Sequence, residues 1–200
     1  MGVKLISPPA TTVITLAQAK EHLHVDHSYD DALITDLIKS ATRHCEVFLG
    51  RALIDQTWDL YLDSFPTLGD REIKVPKPPL ITVLRVAYDD TGGIESFVDP
   101  DDYYVDSVSE PGWVVPISGA DWPDTLDAIN AVRVRFRAGY LDTASPPANA
   151  VPDDIAMAVK LYLGSLYEHR ESEIVGVMAT AMPWSAEQLL RQHRIELSMA

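Results

Sequence analysis

The first third of the chain has the hydrophobic spacing of two α-helices. Thr15 and Gln18 make a capping-box pair before LAQAKEHL, which predicts a short helix ending near His24. Ser28 and Asp31 suggest a second capping box. Behind it, apolar residues recur at the 3.6-residue period, at Leu33, Ile34, Leu37, Ile38, Ala41, Cys45, Phe48 and Leu49. This spacing predicts a long amphipathic helix over residues 30–49, and Gly50 suits its left-handed C-cap.

The hydrophobic period then changes from 3.6 to 2, which is typical of β-strands. Apolar and polar residues alternate in TWDLYLD, and further strand-like segments follow in REIKV, LITVLRVAYDD, DYYVD, GWVVP and AVRVRFRAGY. Proline, glycine and aspartate separate them, and DDTGG provides a turn after the third. The pattern predicts six or seven short strands in an antiparallel β subdomain over about residues 53–140.

Helical spacing returns near the end of the chain. A linker rich in proline and alanine leads to Pro152, which precedes a helix predicted to run to about residue 171. After a flexible apolar segment, WSAEQLLRQHRI predicts a short helix that Ser185 and Gln188 can cap. The predicted organisation is therefore N-terminal helices (1–52), an inserted β subdomain (53–140), a linker with a long core helix (141–171), and a flexible segment with a C-terminal helix (172–200).

Charge and composition argue against some classes of function. The net charge is −14, and residues 51–130 hold sixteen acidic against five basic residues. Because nucleic-acid binding needs clustered cations, this composition argues against a grip on the DNA backbone. No run approaches the ~20 apolar residues of a membrane span, and the single cysteine, Cys45, suits a reducing cytosol.

Two clusters invite a metal-site interpretation. His22, His24 and His27 lie close in sequence, but His22 and His24 point to different sides of a helix, and no HExxH or CxxC motif accompanies them. The stretch DPDDYYVDSVSE places acids at some positions of a calcium loop, yet tyrosines stand where a ligand and a glycine are required. We therefore expect a solvated helix end and an ordinary Asp-Pro turn, and no metal or other cofactor.

Two further motifs could carry chemistry. Arg133, Arg135 and Arg137 alternate along one strand and would share a face, where cross-strand ion pairs are favoured over a nucleic-acid contact. The run from Glu168 to Glu171 combines acids, a histidine and an arginine, but neighbouring helical residues diverge. We expect it to end a helix, and we assign no catalytic residue.

The order of the motifs resembles that of head–tail connector (adaptor) proteins of long-tailed bacteriophages and gene transfer agents. The similar segments are ITLAQAKEHLHVD, DDALITDLIKSAT, GRALIDQTWDLYLD, KPPLITVLRVAY, DPDDYYVD, WP, VRVRFRAGY, YEHRE and MPWSAEQLLRQHR. Together they cover about residues 13 to 194.

This resemblance implies a structural protein, not an enzyme, at the neck of a virion or similar particle. It implies a ring, usually twelvefold, that docks under the portal protein and lets DNA pass without specific binding. A tail-side stopper or terminator protein would dock on the other side, with no membrane involved; the oligomeric state of the isolated subunit stays open. The segment reaching the portal would be about residues 172–200, with candidate contacts at Trp184, Leu189, Leu190, Arg191 and Arg194.

The sequence therefore predicts an α+β protein with a helical, ring-forming part built from both ends of the chain and an inserted antiparallel β subdomain. Two alternatives remain open. One is a small metal-dependent enzyme that uses the region of His22, His24 and His27. The other is a monomeric acidic module that binds a protein partner.

Overall fold

The computed structural model describes residues 1–67, 71–140, 150–169 and 182–195. Within them the elements are β1 (Gly2–Ser7), α1 (Leu16–Leu23), α2 (Asp31–Leu49), β2 (Gln56–Leu62), β3 (Ile73–Val75), β4 (Leu80–Asp89), β5 (Glu95–Val98), β6 (Tyr103–Asp106), β7 (Gly112–Pro116), β8 (Val132–Ala138), α3 (Asp153–Glu168) and α4 (Trp184–Arg191). The predicted α+β class is confirmed, because antiparallel sheets are inserted between helices from the two ends of the chain. The predicted linker and flexible segment, residues 141–149 and 170–181, lie outside the described residues.

The chain divides into two compact units, which we call the helical unit and the β unit. The helical unit contains residues 11–54 and 141–200, and the β unit contains residues 1–10 and 55–140. Helices from both ends of the chain therefore share one unit. No helix in the described part of the chain is long and apolar enough to cross a membrane.

The two N-terminal helices form largely as their spacing predicts. The Thr15–Gln18 capping box is present, and His24 ends α1 with a positive φ of 55°. Gly50 ends α2 in the left-handed conformation, at φ 71°. The predicted capping box of Ser28 and Asp31 is wrong, because the helix begins after Asp30, which makes no side-chain cap.

Tertiary contacts explain why the start of α2 lacks a side-chain cap. The Asp31 carboxylate accepts a hydrogen bond from Lys20 Nζ at 2.7 Å, which joins α1 to α2. The Asp30 carboxylate accepts one from the Tyr167 hydroxyl of α3 at 2.6 Å. Both carboxylates therefore hold helices together and are not directed at the free N–H groups of their own helix.

The C-terminal helices differ in detail from the prediction. α3 begins directly after Pro152 as predicted but ends at Glu168, three residues early. α4 begins after Pro183, with no side-chain cap, so the predicted capping by Ser185 and Gln188 is wrong. Proline has a fixed φ suited to a helix start, and here the helix begins at the first position after it.

The β unit contains two antiparallel sheets. The larger has the strand order β1-β2-β8-β4-β5, and the smaller has the order β3-β7-β6. In β8, buried residues alternate regularly with half-buried ones, as the period-2 pattern predicts. Val134 and Phe136 lie on the buried side, and the arginines of the strand lie on the other.

The sequence analysis missed the first strand. Gly2–Ser7 pairs antiparallel with β2, with Val3 opposite Leu60 and Leu5 opposite Trp58. The first ten residues therefore belong to the β unit, although we expected them beside the N-terminal helices. All six residues of β1 are exposed, so the strand lacks the buried alternation by which the others were recognised.

Candidate functional site

The histidine-rich segment does not assemble a metal site. His24 ends helix α1, and the ring of His27 lies 5.5 Å from that of Tyr29. Across the described ranges, no three His, Cys, Asp or Glu side chains are close enough to hold an ion. The geometry gives no support to the metal-dependent alternative.

The acidic stretch from Asp99 to Glu110 is a set of turns. Asp99 Oδ1 accepts a hydrogen bond from the backbone N–H of Asp101 at 3.0 Å, at the start of a short 3₁₀ helix, Pro100–Asp102. Asp106 Oδ1 accepts bonds from the backbone N–H groups of Val108 and Ser109. A hydrogen bond from the Ser109 side chain, followed by these two backbone bonds, lowers the pKa of Asp106 below its usual value. The carboxylates thus satisfy their own backbone, as predicted for an ordinary Asp-Pro turn.

The segment around His169 ends a helix, as predicted. His169 follows the last residue of α3, and its backbone N–H donates to the Ser165 carbonyl at 3.0 Å. Its Nδ1 lies 3.0 Å from the same carbonyl oxygen. Arg170 and Glu171 lie outside the described residues. Both hydrogen-bonding contacts of His169 are therefore with the last turn of its own helix.

The three arginines of β8 are held by carboxylates, which confirms the ion-pair prediction. Arg135 donates from Nε and from one terminal nitrogen to the two oxygens of Asp59, both at 2.7 Å. Arg137 makes the corresponding pair with Asp55, and Arg133 pairs with Glu95. The charges of the three arginines are thus neutralised within the β unit. They are not available as a row of free cations that could bind phosphate groups.

Asp59 is the most buried member of this ladder, with 1% of its side chain exposed. The hydrogen bond from Arg135 compensates the carboxylate for lost hydration, and the bond to Asp59 raises the pKa of Arg135. A two-point contact of this kind fixes both planar groups. The ladder therefore has a structural role in the sheet.

Cys45 is a core residue, as predicted. It is fully buried on α2, and burial, followed by the charge of Glu46, raises its pKa to about 12. A reactive cysteine needs a stabilised thiolate, and this environment does the opposite. It is therefore no candidate nucleophile.

The β unit also contains an open cavity of about 460 Å³. Phe65 and Trp122 stack on each other there, with ring centroids 4.8 Å apart, and Arg71 pairs with Asp121 at its rim. The Trp122 indole N–H donates to the Arg71 carbonyl at 2.8 Å. Arg71, Asp121 and Trp122, three of its polar lining residues, are thus already bonded within the β unit.

The C-terminal helix α4 is attached to its own helical unit by polar contacts at its end. His193 Nε2 lies 2.7 Å from Asp154 Oδ2, and Gln192 bonds the same oxygen at the start of α3. Arg51 Nε donates to the His193 carbonyl at 2.6 Å. Although burial alone would raise the pKa of Asp154, the contacts with His193 lower it overall. The carboxylate is therefore kept charged at this junction.

The five predicted contact residues lie in different environments. Trp184 has 74% of its surface exposed, Arg191 and Arg194 are exposed, and Leu189 is half-buried. Leu190 is fully buried on its own subunit and so is not accessible to a partner while α4 is docked. The sequence could not separate the two leucines, because both lie on the apolar side of α4.

Comparison with known proteins shows which solved structures have a similar fold. Over 100% of this chain and 99% of each other chain, the fold is similar to three solved structures. These are described as "Neck of empty GTA particle computed with C6 symmetry" (TM-score 0.79, 22% identity), "Virion of native gene transfer agent (GTA) particle" (0.76, 23%) and "Neck of native GTA particle computed with C12 symmetry" (0.72, 22%). A search of curated proteins finds no match.

The sequence gives the more specific result. Residues 13–96 match the family model described as "Phage gp6-like head-tail connector protein". The resemblance predicted from the order of the motifs is thereby confirmed. Over these residues, which are fewer than half of the chain, the sequence is similar to head–tail connector proteins.

Proposed function

We propose that this protein is a structural connector in the neck of a phage or gene transfer agent particle, where it joins the DNA-filled head to the tail. The observation that carries the proposal is the similarity of the whole chain to the neck structures, together with the family match over residues 13–96. The similarity includes both α4 and the β unit, because it extends over the full length of this chain. The same role is therefore expected for the complete molecule.

A ring is the form in which it would act. The similar necks were computed with C6 and C12 symmetry, which supports a twelvefold assembly of this chain on the portal. Copies related by such rotations contact each other through two different surfaces, and the contact repeats until the ring closes. Tail-side stopper or terminator proteins would dock on the face opposite the portal.

The charge suits a passage for DNA. Twelve copies of a chain with net charge −14 would surround the channel with a strong negative field. The arginines of β8 do not offset it locally, because Asp55, Asp59 and Glu95 hold them. No row of free arginines is then available to contact the phosphates and release the counterions of the DNA. Because counterion release is what drives DNA binding, the DNA can pass without being held in place.

Helix α4 is the proposed contact with the portal. Its polar end is attached through Asp154 and Arg51, while Trp184 at the other end is exposed. An exposed tryptophan on an attached helix is typical of a binding hot spot. Leu189, Arg191 and Arg194, toward the attached end of the helix, are the further proposed contacts, whereas the buried Leu190 would hold the helix in position.

The test is native mass spectrometry of the purified protein mixed with the portal protein from the same gene cluster. We expect a multi-copy ring on the portal, and we expect Trp184→Ala to weaken its binding by tenfold or more, since hot-spot truncations cost about 2 kcal/mol or more. Tyr29→Ala is the matched control, because Tyr29 is an exposed aromatic residue of the same unit.

The outcomes separate the parts of the proposal. If the unmodified protein does not bind the portal and stays a monomer, the connector function is wrong and the monomeric binding module replaces it. If a ring forms but the two alanine variants bind equally well, the connector function stands and Trp184 is not the anchor of the portal contact.

A further inference from the structure

Strand β1 presents a free edge to solvent. Among the residues that the structure describes, it is the outermost strand of the larger sheet and pairs only with β2. Three apolar side chains, Val3, Leu5 and Ile6, each have 37–38% of their surface exposed. Proteins usually protect such an edge with several charges, a proline or a covering element, because its open N–H and C=O groups can pair with another chain. In β1 the only charged residue is Lys4, and the pairing with β2 shifts register at Ile6.

A second open edge lies at the other side of the same sheet. Strand β4 pairs with β8 along most of its ten residues, but β5 covers only Val86–Asp89 on the opposite side. The stretch from Leu80 to Arg85 has no strand on that side within the described part of the chain. Leu84, in this stretch, has 49% of its surface exposed.

The two edges match in length and direction. Each spans six residues, or about 20 Å of extended chain. Four antiparallel pairings separate β1 from β5, so these strands run the same way and both run opposite to β4. A neighbouring copy that keeps this strand direction would place its β1 antiparallel to β4 and in line with β5.

We propose that β1 of one copy pairs with Leu80–Arg85 of β4 in the next copy. This inference rests on the proposed ring and identifies a contact that builds it. Because the two edges are different surfaces, the contact repeats head to tail and can close into a ring. Backbone hydrogen bonds hold the added strand, as in other cases of β-strand addition.

Side chains support the pairing. When the two six-residue stretches are aligned end to end in antiparallel register, Val3 faces Leu84 and Ile6 faces Ile81. Within one copy, Ile6, Ile81 and Leu84 each lie at a register shift of their own strand pairing, so these side chains are not fixed by a partner there. Cross-strand apolar pairs of this kind stabilise a sheet. The pairing would therefore cover side chains that each copy alone leaves partly in water.

Disulfide cross-linking tests the contact. The double variant Val3→Cys with Leu84→Cys is mixed with the portal protein, the complexes are isolated, and they are oxidised and run on a denaturing gel without reductant. Within one copy the two edges are separated by three strand spacings, about 14 Å, which is beyond disulfide reach. The natural Cys45 is buried and does not interfere. Any cross-link at these positions therefore joins two copies.

We expect a ladder of covalent oligomers that extends to the full ring. Each single variant alone should give no ladder, and a mixture of the two should give dimers at most. Val3→Cys with Val108→Cys is the matched control, because Val108 is exposed but lies outside the proposed contact; its cross-linking should be at least tenfold slower. As a second measurement, hydrogen exchange at the β1 amides of the unmodified protein should slow at least tenfold on assembly.

The results distinguish the inference from the function on which it rests. If rings form on the portal but neither the ladder nor the slower exchange appears, the strand pairing is wrong and the connector function stands. If no ring forms with the unmodified protein, both are overturned. A ladder together with slower exchange establishes the contact.

Discussion

Replacing Asp59 with asparagine would remove a buried charge from the centre of the β unit. The carboxylate bonds Arg135 with both oxygens at 2.7 Å and is 1% exposed. In the variant, an amide N–H₂ would face one of the guanidinium donors, and Arg135 would lose its counter-charge. Removing one partner of a fully buried ion pair costs about 3–5 kcal/mol. Because 28% of the Arg135 side chain is exposed and water can solvate it in part, we expect about 2–3 kcal/mol.

The assay is denaturant unfolding followed by tryptophan fluorescence. Three of the four tryptophans, Trp58, Trp113 and Trp122, lie in the β unit, so their emission reports mainly on its unfolding. The matched control is Asp121→Asn, the same chemical change in the same unit. Its carboxylate also pairs with an arginine but is 84% exposed. The control should change the free energy of unfolding by less than about 0.5 kcal/mol.

One result would refute this reasoning: equal stability of the two asparagine variants. The double variant Asp59→Leu with Arg135→Met provides a second check. Because it removes both charges together, it should recover most of the lost stability. If it is less stable than Asp59→Asn alone, the penalty does not come from an uncompensated charge.

Three further predictions concern other contacts. Gly112→Ala should destabilise the β unit by about 1–3 kcal/mol, measured in the same unfolding assay, because its Cβ would lie 2.6 Å from a methyl carbon of Leu80. The pKa of Asp154 is lowered in the folded protein, so its contribution to stability is present above the usual pKa, 3.8, and is lost as the pH falls through the lower folded value. Asp154→Asn should therefore reduce stability at pH 7 and flatten its acid dependence, measured by denaturant unfolding between pH 7 and pH 2. Cys45, with a pKa of about 12, should resist a thiol reagent at pH 8 in the folded protein and react after denaturation, measured by absorbance.

Each of these predictions has a control in the same chain. Gly2→Ala should be harmless, since no atom lies within 4 Å of the added Cβ. Asp153 lies in the same first turn of α3 but is exposed. The Asp153→Asn variant should therefore keep the acid dependence of stability seen in the unmodified protein. Equal effects of the two glycine variants, or of the two asparagine variants in α3, would contradict the respective prediction. Rapid modification of the folded protein would contradict the prediction for the cysteine.

The sequence by itself determined the features that depend on local spacing. The apolar stripe of α2 follows from the 3.6-residue period, and the alternation of β8 follows from the period of 2. In both elements the face on which a side chain lies is set by its position along the chain. The end of α2 at Gly50 was likewise predicted from a local signal. The order of the motifs also carried the resemblance to connectors, which the family match confirms over residues 13–96.

The tertiary structure decided which groups meet across long separations. Asp59 is 76 residues from Arg135, and no local rule selects this partner for a given arginine. The start of α2 lacks a side-chain cap because its carboxylates bond α1 and α3. The burial of Leu190 but not Leu189 depends on how α4 packs in the helical unit. Strand β1 is the clearest case: its six residues are all exposed, and it is a strand because β2 offers it a backbone edge, with paired residues 50 to 59 positions apart. Pairing of this kind is a property of the folded chain as a whole, since the hydrogen bonds that define it do not exist until the sheet has formed.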